Sequence, residues 1–115
     1  MVKKPYVPDR GDVVSIDFTP QSGHEQARRR PALVLSPKVY NQKVGLGIFC
    51  PITRQVKGYT FESYIPEGSG VEGAVLSDQL KSLDWRSRRA EFVCKMPSEV
   101  LEDCLEMIKA LIFES

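Results

Sequence analysis

Only the C-terminal end of this chain carries a helical period. Leu101, Leu105, Ile108 and Ile112 fall at i, i+4, i+7 and i+11, which places them on one face of a helix. Ser98 is placed to cap that helix, and Glu99, Glu102 and Asp103 complement the positive end of its dipole. Upstream, apolar residues come in short runs or alternate with polar ones, and Gly or Pro interrupts them repeatedly. Val14, Ile16 and Phe18 point to one side of a strand spanning Val13–Phe18, with Ser15 and Asp17 on the other. Ala32–Ser36 reads as a short buried strand, Pro37–Lys43 as a turn region, and Val44–Ile52 as a longer strand weakened by Gly45 and Gly47. Tyr59–Ile65 alternates, with Tyr59, Phe61 and Ile65 against Thr60, Glu62 and Tyr64. Ala74–Leu76 and Arg89–Lys95 are further strands, separated by an irregular piece at Ser82–Arg86. The expectation is a mainly β fold: five to seven short strands in a small barrel or two-layer sheet, covered by the C-terminal helix.

A chain of 115 residues has room for one domain, 1–115, able to bury roughly two-thirds of its unfolded surface. Its net charge of +1 hides a division: the first sixty residues carry +6 and the remainder −5. A basic half can hold a polyanion locally. Cys50, Cys94 and Cys104 are odd in number and lack Cys-x-x-Cys spacing, so disulfides are not expected and a reducing, cytoplasmic location is. The apolar neighbours of Cys94, Phe92 and Val93, argue for core packing, and Cys104 reads the same way. No stretch approaches the roughly 20 apolar residues of a membrane span, and no apolar run follows the basic N-terminus as in a secretory signal.

Several motifs fail on their own chemistry. Gly68–Gly73 matches G-x-G-x-x-G, but a strand-like run follows it where a dinucleotide site needs a helix, so it reads as a hairpin turn. His24-Glu25 begins like H-E-x-x-H, yet position 28 is Arg and the chain has one histidine in all, so no metal site is expected. No serine sits in a Gly-x-Ser-x-Gly elbow. Ser36 is read as structural and Trp85 as a partly buried anchor.

Two polar loops remain. The first, Thr19–Arg30, brings together His24, Glu25, Gln26 and the consecutive Arg28, Arg29 and Arg30. Pro31 restricts the backbone of Arg30 and a buried strand follows, so Arg30 is pinned and has little backbone freedom. The second loop runs from Thr53 to Gly58 with Arg54 and Lys57. A guanidinium offers a planar fork matched to phosphate. RNA cleavage by its own 2′-hydroxyl needs a base, a cation for the phosphorane and an acid, all of which side chains supply. If the two loops meet, a hydroxyl and a guanidinium flank one phosphate.

At these residues the chain resembles the MazF/PemK-type toxins of bacterial toxin–antitoxin systems. The matching segments are Pro8–Asp12, Gly23–Gln26, Arg30–Pro37, Tyr40-Asn41, Pro51–Thr53, Lys57–Glu62 and Asp78–Arg86. The resemblance implies an SH3-like barrel of the CcdB/PemK-like fold, a homodimer, and inhibition by a partly disordered acidic antitoxin of the MazE kind. It implies cofactor-free, metal-independent, sequence-specific cleavage of single-stranded messenger RNA to a 2′,3′-cyclic phosphate. By position, Arg30 and Thr53 match the catalytic pair and Glu25 an acidic residue linked to activity. His24, Gln26, Arg28, Arg29, Arg54, Lys57, Asp78 and Gln79 are expected in substrate binding, although Arg29 stands where other members have His or Gly. The alternatives are a CcdB-like toxin that binds DNA gyrase without cleaving RNA, and an RNA-binding barrel without catalysis.

Overall fold

The computed structural model describes residues 5–18 and 29–114. Among these, seven strands and two helices follow in the order β1 (Asp12–Asp17), β2 (Arg29–Val34), α1 (Lys38–Val44), β3 (Gly47–Thr53), β4 (Glu62–Tyr64), β5 (Ala74–Leu76), β6 (Lys81–Leu83), β7 (Glu91–Lys95) and α2 (Ser98–Phe113). Every strand pairing is antiparallel, in the order β4-β5-β3-β2-β1-β7, with β6 also paired to β3.

The alternation in β1 explains the layering. Val14, Ile16 and Phe18 enter one cluster with Ala32, Val34, Phe49, Leu83 and Trp85. Val13 and Leu33 enter a second cluster on the other face, with Leu35, Cys50, Ile52, Val75 and α2 residues Val100, Cys104 and Ile108. β2 and β3 are thus covered on both faces, which is why they read as nearly continuous apolar runs. Each such side chain gains about 1.5–3 kcal/mol from burial, and a one-residue slip would exchange the two sets. The β1–β7 register shifts between Val13 and Val14, a local irregularity of the bulge kind.

Four sequence expectations are corrected. The segment read as a turn at Pro37–Lys43 is α1, which replaces the first residues of the expected Val44–Ile52 strand. Its N-terminal N–H, on Lys38, is capped from a distance by the Asp9 carboxylate at 2.8 Å, and Gly45 closes it in the left-handed region at φ 82. The Tyr59–Ile65 strand shrinks to Glu62–Tyr64, with Glu62 buried and Tyr59 exposed. The irregular Ser82–Arg86 piece begins as β6. On α2 the buried stripe is Val100, Cys104 and Ile108, while Leu105 and Ile112 face outward, and the N-cap position falls on Pro97 rather than Ser98.

Cys104 is buried as expected, whereas Cys94 is only partly covered because β7 lies at the sheet edge with Phe92 and Val93 exposed. Ser36 is structural: it bonds Asn41 and accepts the Ile48 N–H. Trp85 is 4% exposed and donates its indole N–H to the Asn41 carbonyl at 3.1 Å, which removes it as a platform for stacking a base.

Candidate active site

The β2–β3 ladder brings the ends of the two polar loops, Arg30 and Thr53, to one side of the sheet. Ala32 lies opposite Pro51 and Leu33 opposite Cys50. Continued outward, the same register sets Arg30 against Thr53 at the end of the sheet. Both residues line one open cleft of about 1020 Å³. Its lining includes Ser15, Pro31 and Ile52, together with Gly68, Gly70, Val71 and Glu72. The glycine-rich turn, read from sequence as a mere connection, is thus a wall of the site.

Thr53 also lines a second hollow of about 320 Å³ with Gln55, Lys57, Tyr59, Phe61, Asp78 and Gln79. The two concavities therefore adjoin at Thr53. Arg29, Arg30 and Arg54 make the first mainly cationic against a single carboxylate, Glu72. The second mixes Lys57 with Glu62 and Asp78. A phosphate suits the first, and a group with both donors and acceptors suits the second.

The local chemistry of Thr53 leaves it a donor. Its Oγ1 accepts the Gln55 N–H at 3.1 Å, which leaves the hydroxyl hydrogen to point elsewhere. Its backbone is gripped from the other side. Thr53 pairs with Ala74, and Gly73, at φ +113, lies so close that a Cβ there would sit 1.8 Å from the Thr53 carbonyl oxygen.

The adjacent arginines have different surroundings. Arg29 donates to the Asp17 carboxylate at 3.1 Å, the Ser15 carbonyl at 2.8 Å, the Arg89 carbonyl at 2.7 Å and Glu91 at 2.9 Å. Its guanidinium ties β1, β2 and β7 together while Arg29 also lines the cleft. Arg30 makes no ion pair among the described residues. Of the other expected site residues, Arg54 lies in the first hollow and Lys57, Asp78 and Gln79 in the second. His24, Glu25, Gln26 and Arg28 lie outside the described residues.

The Asp17 carboxyl is held below its ordinary range by the Arg89 guanidinium first and Arg29 second, against the opposing effect of burial. Because the folded value is depressed, its stabilisation is fully present above the unfolded carboxylate pKa of about 3.9 and is lost as pH falls through the folded value. Asp17→Asn is therefore expected to reduce stability at neutral pH and to flatten the loss of stability below about pH 4. Urea melts at a series of pH values would show this; an acid limb as steep as in the parent protein would contradict it.

Sequence reasoning missed Glu62, placed by alternation on a solvent face. It is 3% exposed, and its carboxylate accepts backbone N–H groups from Lys57, Gly58 and Tyr59. The available signal was a glycine at 58 with an acid four residues on: a turn followed by a group able to fill it.

Against known proteins, residues 9–112 match the family described as PemK-like, MazF-like toxin of type II toxin–antitoxin system. The chain is 46% identical to the endoribonuclease toxin MazF of Escherichia coli (strain K12) over 107 residues, 93% of this chain and 92% of that protein. It is 37% identical to the endoribonuclease toxin ChpB of the same strain, covering 97% and 99%. The structure of a MazE–MazF complex from Deinococcus radiodurans superposes with a TM-score of 0.90 at 51% identity, covering 96% of this chain and 100% of that one.

Proposed function

Since this chain belongs to the PemK-like, MazF-like toxins of type II toxin–antitoxin systems, we propose that it is a single-domain endoribonuclease cleaving single-stranded messenger RNA at short sequences. The fold is the PemK/CcdB-like barrel of that family. The observation that carries the reading is the meeting of Arg30 and Thr53 in one cationic cleft.

In this reading the scissile phosphate lies between the Arg30 guanidinium and the Thr53 hydroxyl. The substrate's 2′-oxygen attacks phosphorus and the bond to the 5′-oxygen breaks. The products are a 2′,3′-cyclic phosphate and a 5′-hydroxyl. The 2′-hydroxyl proton passes to a base, for which Glu25 is the candidate, and the leaving oxygen takes up a proton. Arg30 and Thr53 donate to the non-bridging oxygens, where charge builds in the phosphorane. The pentacoordinate charge is greater than that of the resting diester, so donors fixed beforehand favour the transition state over the ground state.

Arg54, Lys57, Asp78 and Gln79, with His24, Gln26 and Arg28 from the preceding loop, hold the strand on either side. Arg29 holds the scaffold. The working unit is a cytoplasmic homodimer whose basic loops form a shared groove, and the antagonist is an acidic antitoxin of the MazE kind. Two features support such a partner: the +6 charge of the first sixty residues, and the likeness to a MazF solved with MazE.

The test is to incubate purified protein with a long unstructured RNA in EDTA. Cleavage to fragments ending in 2′,3′-cyclic phosphate is expected. Binding without cleavage would favour the non-catalytic barrel, and gyrase inhibition without RNA binding the CcdB-like alternative.

A further inference from the structure

Glu62 has no place in the chemistry above, yet it accepts more hydrogen bonds than any other acid among the described residues. It sits at the start of β4, 3% exposed, with Oε1 receiving the Gly58 N–H at 2.8 Å and the Tyr59 N–H at 3.1 Å. The Lys57 N–H lies 3.1 Å from Oε2 and 3.2 Å from Oε1. The Glu62 backbone N–H in turn donates to the Tyr59 carbonyl at 3.1 Å. Three consecutive amides converging on one carboxylate form an anion nest, with the anion supplied by the chain itself.

Resting on the RNA-cleaving reading, we propose that Glu62 is a positioning residue for substrate recognition: it holds the Lys57–Tyr59 segment in the conformation that presents the second hollow to RNA. Gln55, Lys57 and Tyr59 line that hollow opposite Asp78 and Gln79, and they belong to a segment without a strand or helix of its own. Without an internal anchor, such a loop would populate many conformations, and binding RNA would require selecting one of them. Charge-assisted bonds from a buried carboxylate are the strong kind, and they fix the loop through its backbone, leaving its side chains for the ligand. Gly58, at φ +79 with open space around it, lets the chain turn so that successive amides face inward.

Thr53 is anchored separately, through its pairing with Ala74 and its packing on Gly73. Loosening the loop should therefore damage recognition more than the bond-breaking step.

Two variants test this. Glu62→Gln keeps the shape and loses the charge, placing an NH2 where a second acceptor was. Gly58→Ala leaves the carboxylate and disfavours the turn. Both are expected to raise KM about tenfold or more and to reduce discrimination between the best-cut RNA and its single-base variants. The saturated single-turnover rate should stay within about threefold. Glu62→Asp should recover part of the KM effect. Amide exchange on the RNA-free protein should quicken at 57–59 in Glu62→Gln while the core remains protected. Unchanged exchange there, or unchanged KM and discrimination in a variant whose parent cuts RNA, would overturn the proposal. Absence of cleavage by the parent protein would instead defeat the RNA-cleaving reading, while the exchange measurement would still report on the loop.

Discussion

Arg30→Ala is expected to lower the single-turnover rate of RNA cleavage by about 10²–10³-fold, with a much smaller loss of RNA affinity. Arg30 is set against Thr53 by the β2–β3 register, and Pro31 restricts its backbone. A donor held in this way has already lost the freedom it would otherwise surrender in the transition state, so its contribution appears in turnover. A residue that only grips the RNA backbone adds uniform binding and changes KM and salt dependence instead. Arg30→Lys keeps the charge but loses the planar fork, so it should fall close to Arg30→Ala. Rates measured with protein in excess over a short RNA would decide. Near-parental cleavage by Arg30→Lys would mean that a point charge suffices and that the two-pronged contact is wrong.

Gly73→Ala is the second large effect, and it acts on both stability and turnover. The added methyl would meet the Thr53 carbonyl oxygen at 1.8 Å and its carbonyl carbon at 2.8 Å. Both are backbone atoms of a paired strand, so no side chain can swing aside. The φ of +113 adds strain for any residue with a Cβ. Relief requires β3 and β5 to part near Thr53↔Ala74. The expected cost is about 3 kcal/mol or more, seen as a lower urea midpoint at similar slope. What remains folded should have Thr53 displaced and turnover reduced, since a shift of about 1 Å in a positioned group can cost on the order of 10²-fold. A folded Gly73→Ala protein with an unchanged midpoint and rate would show that this close approach is not needed. Gly58→Ala, with nothing within 4 Å of its added methyl, makes a matched comparison: strain without collision.

The β core was readable because its residues obey period two. Val14, Ile16 and Phe18 reach one cluster together, as their spacing demands. α1 was not readable by the same logic, since only Asn41 of its seven residues is buried and no apolar stripe exists to find. Its punctuation was present in Pro37 and Gly45, but the group that caps it, Asp9, lies far away in sequence. α2 was legible as a helix and half right in its face: Ile108 is in the core and Leu101 packs against it, while Leu105 and Ile112 share the apolar character but are exposed, and nothing in a single chain's hydropathy says which stripe meets the sheet.

The site divided similarly. The two loops and their residue types were visible, but the approach of Arg30 to Thr53 depended on register. The roles of Arg29 and Glu62 depended on partners distant in sequence or on backbone amides, to which a count of charges is blind. Adjacent arginines look equivalent in a string of letters; in the folded chain both line the cleft, but one is tied to Asp17 and Glu91, while the other pairs with no carboxylate among the described residues.

The cleft takes its lining from Ser15 in β1, through Arg30 and Thr53, to Val93 in β7. No fragment that ends before β7 contains all of its walls. During synthesis, the complete cleft therefore waits for Val93 to be made: nascent chains carry the arginines and the threonine long before they carry the surface that brings them to bear. A copy terminated before β7 lacks the finished cleft, and an antagonist that recognises the assembled groove has nothing to meet until β7 has been made.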